Sequence, residues 1–317
     1  MADGQTRMTT DIRRFGAEAM ARAGGLIGEG HPVAVPTETV YGLAADAHNA
    51  AAVARIYAAK GRPDFNPLIV HVPDLAAAEA LGVFGKVERA LAARFWPGPL
   101  TLVVPRTANC PVASIATAGL DTIALRVPGD RAMQALLAET RAPLAAPSAN
   151  ASGAVSPTKA EHVLASLDGR IALVIDDGPT PAGVESTIVR VQNGAVEVLR
   201  PGPVTADMLS EASGLPVTGV KGADIVAPGM LASHYAPGKP VRLGADAFAH
   251  DEYAIGFGAV AGEYQLSASG DLTEAAARLF DALHAGAASA KPRIAVAAIP
   301  PEGLGTAIND RLARAAV

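Results

Sequence analysis

Two hydrophobic rhythms alternate along this chain. Short runs dense in valine, isoleucine and leucine read as strands at Val33–Val35, Leu68–Val72, Leu100–Val104, Thr122–Val127, Ala172–Ile175, Ser186–Val191 and Ala195–Leu199. Between several of them apolar residues return at helical spacing. Asn49 caps a helix carrying Val53, Ile56 and Tyr57, and further helices cover Val87–Phe95, Arg131–Glu139 and Lys159–Leu167. Near the N-terminus Thr10 or Asp11 can cap a helix with Ile12, Phe15, Ala19, Ala23 and Leu26 as its stripe, ended by Gly28 and Gly30. Several strands are joined by connections too short for a crossover helix. The pattern therefore predicts an α/β fold with a twisted, mixed, open sheet and packed helices, complete by Leu199, with a last helix ending near Ala212.

Past Val217 the rhythm stops. Residues 218–240, TGVKGADIVAPGMLASHYAPGKP, are rich in glycine, proline and small residues. They read as a linker, though Met230, His234, Tyr235 and Pro237 are too specific for a passive tether. From Val241, strands near Tyr253–Phe257 and Arg293–Ala297 surround a helix over Leu272–Ala285, whose Leu272, Ala276, Leu279, Phe280 and Leu283 keep helical spacing. A closing helix starts near Thr306. The expected organisation is a first domain at 10–217, a linker at 218–240 and a smaller Rossmann-like α/β domain at 241–317.

Composition mostly excludes. The uncharged stretch Ala142–Thr158 is full of proline, serine, asparagine and glycine and reads as no membrane span. The start MADGQTRMTTD lacks the charged-then-apolar pattern of a secretory signal. A lone Cys110 leaves no internal disulfide and no cysteine-based zinc site. A soluble cytosolic enzyme is the expectation. With net charge −5 and only six lysines among 26 basic residues, nothing global favours nucleic acid or an acidic membrane, so individual cations carry meaning.

The densest chemistry lies in Val33–Val72. A strand runs into Pro36-Thr37-Glu38-Thr39, placing hydroxyls and a carboxylate at a strand end, where open α/β sheets bind ligands. Lys60 and Arg62 flank a glycine at the end of the next helix, Pro63, Asn66 and Pro67 shape the following loop, and His71 sits inside an apolar strand. Cations, amides and an imidazole in this order fit an anionic substrate: lysine as a point charge and arginine as a fork for phosphate oxygens. Arg126, ending the strand Thr122–Val127, can take a free carboxylate. No Walker A sequence occurs, so an ATP site here is not a P-loop.

Together with FWPGPLTLVVP, TIALRVPGD, PSANASGAVSPT, ESTIVRV, VLRPGPV and SHYAPGKP, these segments resemble the YrdC-like family, in particular its long-form L-threonylcarbamoyladenylate synthases with an extra C-terminal domain. The likeness spans roughly residues 10–317, with the motifs in the family's order. It implies condensation of L-threonine, bicarbonate and ATP into L-threonylcarbamoyl-AMP, pyrophosphate and water. The product would pass to a separate tRNA threonylcarbamoyl transferase. Lys60, Arg62 and His71 would be catalytic, and ATP would meet Lys60, Arg62, Asn66, Thr122, Ser148, Asn150, Ser156, Arg200 and Tyr235. Threonine would lie against Thr39, His71, Arg126, Ala146 and Ser186, and the linker would fold across the nucleotide. Mg2+ would arrive with ATP, without a carboxylate cage.

The sequence departs from the family at Gly129-Asp130, where a His-Pro pair is common; Asp130 can cap the next helix equally well. Two other readings exist. An RNA-binding YrdC-like module is disfavoured by the acidic balance and the lack of aromatic-basic interleaving. A carbamoyl-transfer enzyme of the hydrogenase-maturation kind would carry zinc-finger cysteines and an acylphosphatase-like segment, and this chain has neither.

Overall fold

The computed structural model describes residues 9–61, 66–219 and 235–316. Eleven strands form one sheet in the order Asp11–Arg14, Leu173–Asp176, Val33–Val35, Gly42–Asp46, Leu144–Ala145, Ile69–His71, Thr122–Arg126, Leu100–Pro105, Thr187–Gln192, Ala195–Arg200 and Val217–Gly219. Parallel neighbours, such as Ile69–His71 with Thr122–Arg126, mix with antiparallel ones, such as Leu100–Pro105 with Thr122–Arg126. The sheet is mixed, as the short connections predict.

Three expectations need correction. Asp11–Arg14 is an edge strand, paired in parallel with Leu173–Asp176, and the first helix starts only at Ala17. Thr10 caps nothing; its hydroxyl donates to the Ile171 carbonyl at 2.8 Å and fastens the strand to its neighbour. Asp-Ile-Arg-Arg has the alternation of a half-exposed strand, and that local period wins over the longer helical one. Second, Gly42–Asp46 and Leu144–Ala145 are strands built from small residues that carry little strand propensity. Third, the sheet does not finish at Leu199, because Val217–Gly219 pairs with Ala195–Arg200. The first residues assigned to the linker, Thr218 and Gly219, are therefore strand. Asn49 and Asp130 do cap their helices, accepting from backbone amides of the first turn.

Each face of the sheet buries a separate apolar layer. One packs Val70, Leu102, Leu125 and Val189 under helices that contribute Val53, Ile56, Leu91, Val163 and Leu209. The other packs Val33, Val35, Leu144 and Ile175 under Met20, Ala23, Met133, Leu136 and Leu137. This second helical cover stops at the strand Leu144–Ala145. Beyond it the same face carries only a small cluster of Ile69, Val103, Ala124, Ile188 and Leu199, and the candidate site lies there.

Residues from Val241 onward build four parallel strands, in the order Val241–Ala245, Arg293–Ala297, Glu252–Gly256 and Tyr264–Gln265, with helices Leu272–Ala288 and Gly305–Ala315. Its apolar core is not self-contained. Leu279, Phe280 and Leu283 pack in one cluster with Val40, Val155 and Val184 of the larger sheet's loops. Polar contacts reinforce the junction. Asp281 accepts from the Tyr264 hydroxyl at 2.6 Å and pairs with Lys159 at 2.8 Å, while His162 stacks on His284 with ring centroids 3.8 Å apart. No helix among the described residues is long and apolar enough to cross a membrane.

Candidate active site

Residues in register on adjacent parallel strands point to the same face. Ile69 aligns with Ala124 and His71 with Arg126, so an apolar floor runs into an imidazole beside a guanidinium. Above this floor the loop Pro36–Tyr41, the segment Ala146–Ser148, the segment Glu185–Ser186, Arg200 and Tyr235 close a cleft.

At its Arg126 end the groups are buried and polar. Arg126 is 3 % exposed; its Nε donates to the Gly98 carbonyl at 3.3 Å, and Nη2 stands 2.7 Å from Glu38 Oε1. That ion pair is close but poorly aligned. Both Glu38 oxygens and Arg126 Nη2 lack a well-directed hydrogen bond among the described residues, so each retains capacity for another partner. His71 is fully buried, and its Nδ1 has no partner among the described residues. Burial, with the Arg126 charge acting the same way, pushes its pKa down to about 3, so the imidazole is neutral. Hydroxyls complete this end. Thr37 Oγ1 and Thr39 Oγ1 are 2.8 Å apart, as are Thr101 Oγ1 and Ser186 Oγ.

Lys60 shapes the opposite wall from behind. It ends the helix Ala50–Lys60, where Gly61 takes the left-handed conformation at φ 58° that stops the helix. Its ammonium donates to the carbonyls of Ser148 at 2.6 Å and Asn150 at 2.5 Å. The sequence placed Lys60 at a helix end as a point charge for phosphate; it is only 3 % exposed, and its ammonium holds the Ser148–Asn150 loop in place. Asn150 braces that loop too, its Nδ2 donating to the Ala151 and Ala154 carbonyls at 2.9 Å, while its Oδ1 is buried without a partner among the described residues.

The third wall is electrostatic. Arg200, 5 % exposed, donates through Nε and Nη2 to the Ser186 carbonyl at 3.1 and 2.9 Å, and through Nη2 to Ser186 Oγ at 3.2 Å. Burial pushes its pKa down to about 10, which still leaves it charged at neutral pH. Glu185 accepts from Ser156 Oγ at 2.6 Å and from Arg311 Nε at 2.8 Å. Burial alone would raise the Glu185 pKa, but the charges of Arg311 and Arg200 and the Ser156 hydroxyl outweigh it and bring it to about 2. Tyr235 lies over this group at φ 68°, stacked on Phe280 at 5.3 Å, with the Arg311 guanidinium 5.5 Å from its ring centroid.

The cleft thus gathers Thr39, His71, Arg126, Ala146, Ser148, Ser186, Arg200 and Tyr235 from the sequence-derived set. Others stand apart. Ser156 is sealed beneath the cleft by Glu185, and its carbonyl contacts His284 Nε2 at 3.1 Å. Thr122 begins the strand that Arg126 ends, so it stands at the far end of the floor. Asn66 is buried at the turn into the strand Ile69–His71, its carbonyl accepting from the Tyr57 hydroxyl at 3.1 Å. Arg62, Met230 and His234 fall outside the described residues. Sequence reasoning did not select Thr37, Glu185 or Arg311. Glu185 opens the ESTIVRV motif and Thr37 stands in PTET, but Arg311 belongs to no motif and reads as a surface residue of an amphipathic helix.

The chain matches known proteins along most of its length. A family model described as telomere recombination, Sua5–YciO–YrdC, matches residues 25–202, and one described as threonylcarbamoyl-AMP synthase, C-terminal domain, matches residues 204–317. The chain is 40% identical to the threonylcarbamoyl-AMP synthase of Bacillus subtilis, over 94% of this chain and 92% of that one. It is 44% identical to the enzyme of the same name from Pyrococcus abyssi, over 69% of this chain and 66% of that one. The crystal structure of P. abyssi Sua5 complexed with L-threonine superposes with a TM-score of 0.86 at 35% identity, covering 96% of both chains.

Proposed function

The chain belongs to the Sua5–YciO–YrdC family, and we propose that it joins L-threonine, bicarbonate and ATP into L-threonylcarbamoyl-AMP, releasing pyrophosphate and water. The observation that carries this reading is one cleft lined by two buried cations. Arg126 stands beside a neutral imidazole, and Arg200, bonded to Ser186, shares the lining with Tyr235.

In this reading the threonine carboxylate pairs with Arg126, whose contact with Glu38 leaves donor capacity unused. Bicarbonate takes up a proton and loses water to give CO2. The threonine amine adds to CO2 and releases a proton to form a carbamate, and a carbamate oxygen attacks the α-phosphorus as pyrophosphate leaves. His71 remains neutral, so its contribution is a hydrogen bond to the amino acid rather than an exchange of charge. Arg200 meets the polyphosphate, Lys60 fixes the Ser148–Asn150 loop against it, and Tyr235 covers it from water. Most of the acceleration then comes from alignment and charge neutralisation, with no covalent intermediate on the protein.

A Mg2+ arriving with ATP would be held mainly by phosphate oxygens and water. At the cleft Glu185 is spent on Arg311 and Ser156, while the Glu38 oxygens beside Arg126 retain capacity for another partner. When bound, the ion would withdraw charge from the leaving pyrophosphate. Transfer of the product to tRNA would fall to a separate enzyme, in the cytoplasm.

The test is pyrophosphate release with ATP and bicarbonate across the amino acids, with mass spectrometry of the adenylate. Threonine-dependent release accompanied by threonylcarbamoyl-AMP is expected. Release indifferent to threonine would sink the proposal.

A further inference from the structure

We infer that Arg311, sent in from the smaller α/β unit, is a positioning residue for the anion end of the cleft: it holds Glu185 away from Arg200, so that Arg200 keeps its charge for a polyphosphate. The inference rests on the ATP-dependent reading above.

Three charged side chains share this buried spot. Arg311, Arg200 and Glu185 are 0 %, 5 % and 6 % exposed. Arg311 also pairs through Nη1 with the less buried Asp310 at 2.5 Å, which pairs in turn with Arg314 at 3.0 Å. The group thus holds three guanidiniums and two carboxylates and keeps one excess positive charge, and the hydrogen bonds decide where it resides. Glu185 spends one oxygen on Arg311 Nε at 2.8 Å and the other on Ser156 Oγ at 2.6 Å. Arg200 bonds only to Ser186, and no carboxylate among the described residues forms an ion pair with it. The cation that keeps its donors free of any carboxylate is therefore Arg200, the one that lines the cleft, although Glu185 is near enough to feel its charge.

Arg311 also fixes the backbone on both sides of this arrangement. Its Nη2 donates to the Pro201 carbonyl at 2.9 Å, next in sequence to Arg200, and its guanidinium lies against the ring of Tyr235. The segments it bridges are packed backbone to backbone. A Cβ on Gly202 would sit 2.4 Å from the Thr187 nitrogen and 2.6 Å from the Glu185 oxygen. Stability alone is a poor reason for such a group, since a buried ion pair is often no better than apolar residues of the same volume. The helix Gly305–Ala315 thus contributes directly to the site rather than only supporting the segment before it. Without Arg311, a buried Glu185 would turn to the nearest remaining cation, Arg200, and cancel it.

The full-length protein tests this through equilibrium binding of ATP and, separately, of L-threonine, with circular dichroism to verify folding. Arg311→Met is expected to weaken ATP binding about tenfold or more, the value of one lost charged hydrogen bond, while threonine binding stays near wild type. Adding Glu185→Gln to Arg311→Met should restore much of the ATP affinity, because a neutral amide does not neutralise Arg200. Should Arg311→Met fail to fold, Arg311→Lys and Arg311→Gln carry the test: the lysine variant should bind ATP clearly better than the glutamine one. ATP binding at wild-type strength in Arg311→Met, or equal in the lysine and glutamine variants, would overturn the inference. So would a double variant no better than the single with both ligands weakened alike, since that is the mark of mere structural support. Wild-type pyrophosphate release without threonine would instead remove the functional reading, and the ATP comparison would still decide on Arg311.

Discussion

His71 and Arg126 stand in register on adjacent parallel strands, and burial together with the guanidinium keeps the imidazole uncharged. The pair therefore behaves as one fixed cation beside one neutral hydrogen-bonding ring. This suits an amino acid whose carboxylate must be gripped while its amine stays unprotonated. A protonated imidazole at this position would oppose Arg126 and favour a second anion.

The same burial makes stability depend on pH. The folded-state pKa of His71, about 3, lies below the ordinary value of 6.5, so the unfolded chain binds more protons between those limits. Stability from this residue is present above pH 6.5 and is lost as pH falls toward 3. At pH 5 the loss is about 2 kcal/mol. His284, depressed to about 4 by burial and by His162, acts in the same direction. His71→Gln should lose less stability than wild type between pH 7 and pH 5. Thermal unfolding at both pH values measures this, and an identical loss in the two proteins would exclude His71 as a source.

Hydroxyls lie near Arg126, where the proposal seats the amino acid, with Thr37 facing Thr39 and Thr101 facing Ser186. Valine has nearly the shape of threonine but leaves a hydroxyl-binding group unsatisfied, at about 1–3 kcal/mol. Serine lacks only a methyl group. In pyrophosphate release at equal concentration, serine should be the better poor substrate. Valine turned over as well as threonine would remove the case for a polar side-chain pocket.

Lys60 is expected to matter for stability as well as activity. Lys60→Met would strand the Ser148 and Asn150 carbonyls and free their loop, costing about 3 kcal/mol for charged hydrogen bonds of this kind. Lys60→Arg should fail as well, because a planar fork does not fit where a compact ammonium bridges two carbonyls. The melting temperature and the ATP affinity should fall together in both variants. A loss of affinity at unchanged melting temperature would return Lys60 to the role of a simple phosphate cation.

What was legible in the sequence follows from the range of the forces involved. Leu100–Pro105 and Thr122–Arg126 are aliphatic strands buried on both faces over most of their length, and Thr187–Gln192 over its first half, and composition alone reveals them. Leu144–Ala145 became a strand through distant partners, Gly42–Asp46 and Ile69–His71, which no local window contains, while Gly42–Asp46 pairs with the nearby Val33–Val35 as well, a local pairing that its small residues conceal. Arg126 and His71 were readable because both close strands inside motifs. Arg311 was not, since it meets Glu185 across 126 residues of chain. Its burial results from the docking of two sheets, and a helical arginine otherwise reads as solvent-facing.

One glycine permits the close backbone approach at this junction. Gly183 holds φ +69°, and a Cβ there would lie 2.3 Å from the Ala276 oxygen and 2.4 Å from the Ala277 Cα. Gly183→Ala adds strain at a left-handed position to a backbone overlap that no rotamer relieves. The expected loss is about 2–5 kcal/mol, with weaker ATP binding because Glu185 lies two residues on. A melting temperature within a degree of wild type would mean that the junction is slack.

Removal of the smaller unit should cost more than a lid. The sequence leads to the expectation that residues up to 217 form a folded, weaker enzyme, since the sheet reads as complete by Leu199. The described structure argues otherwise. A chain cut after 217 loses Thr218 and Gly219 from the edge strand that covers Ala195–Arg200. It also exposes Val40, Val155 and Val184, which pack against Leu279, Phe280 and Leu283. Glu185 would keep Ser156 but lose Arg311, and the way to Arg200 would be open. The truncated chain should therefore melt well below the full-length protein, aggregate on storage and bind ATP poorly even where it is folded. A chain cut after 219 should recover some stability through the edge strand but none of the ATP affinity. If the shorter chain instead melts near the full-length protein and lacks only ATP affinity, the smaller unit serves as a lid support, and the shared apolar cluster contributes little to the larger fold.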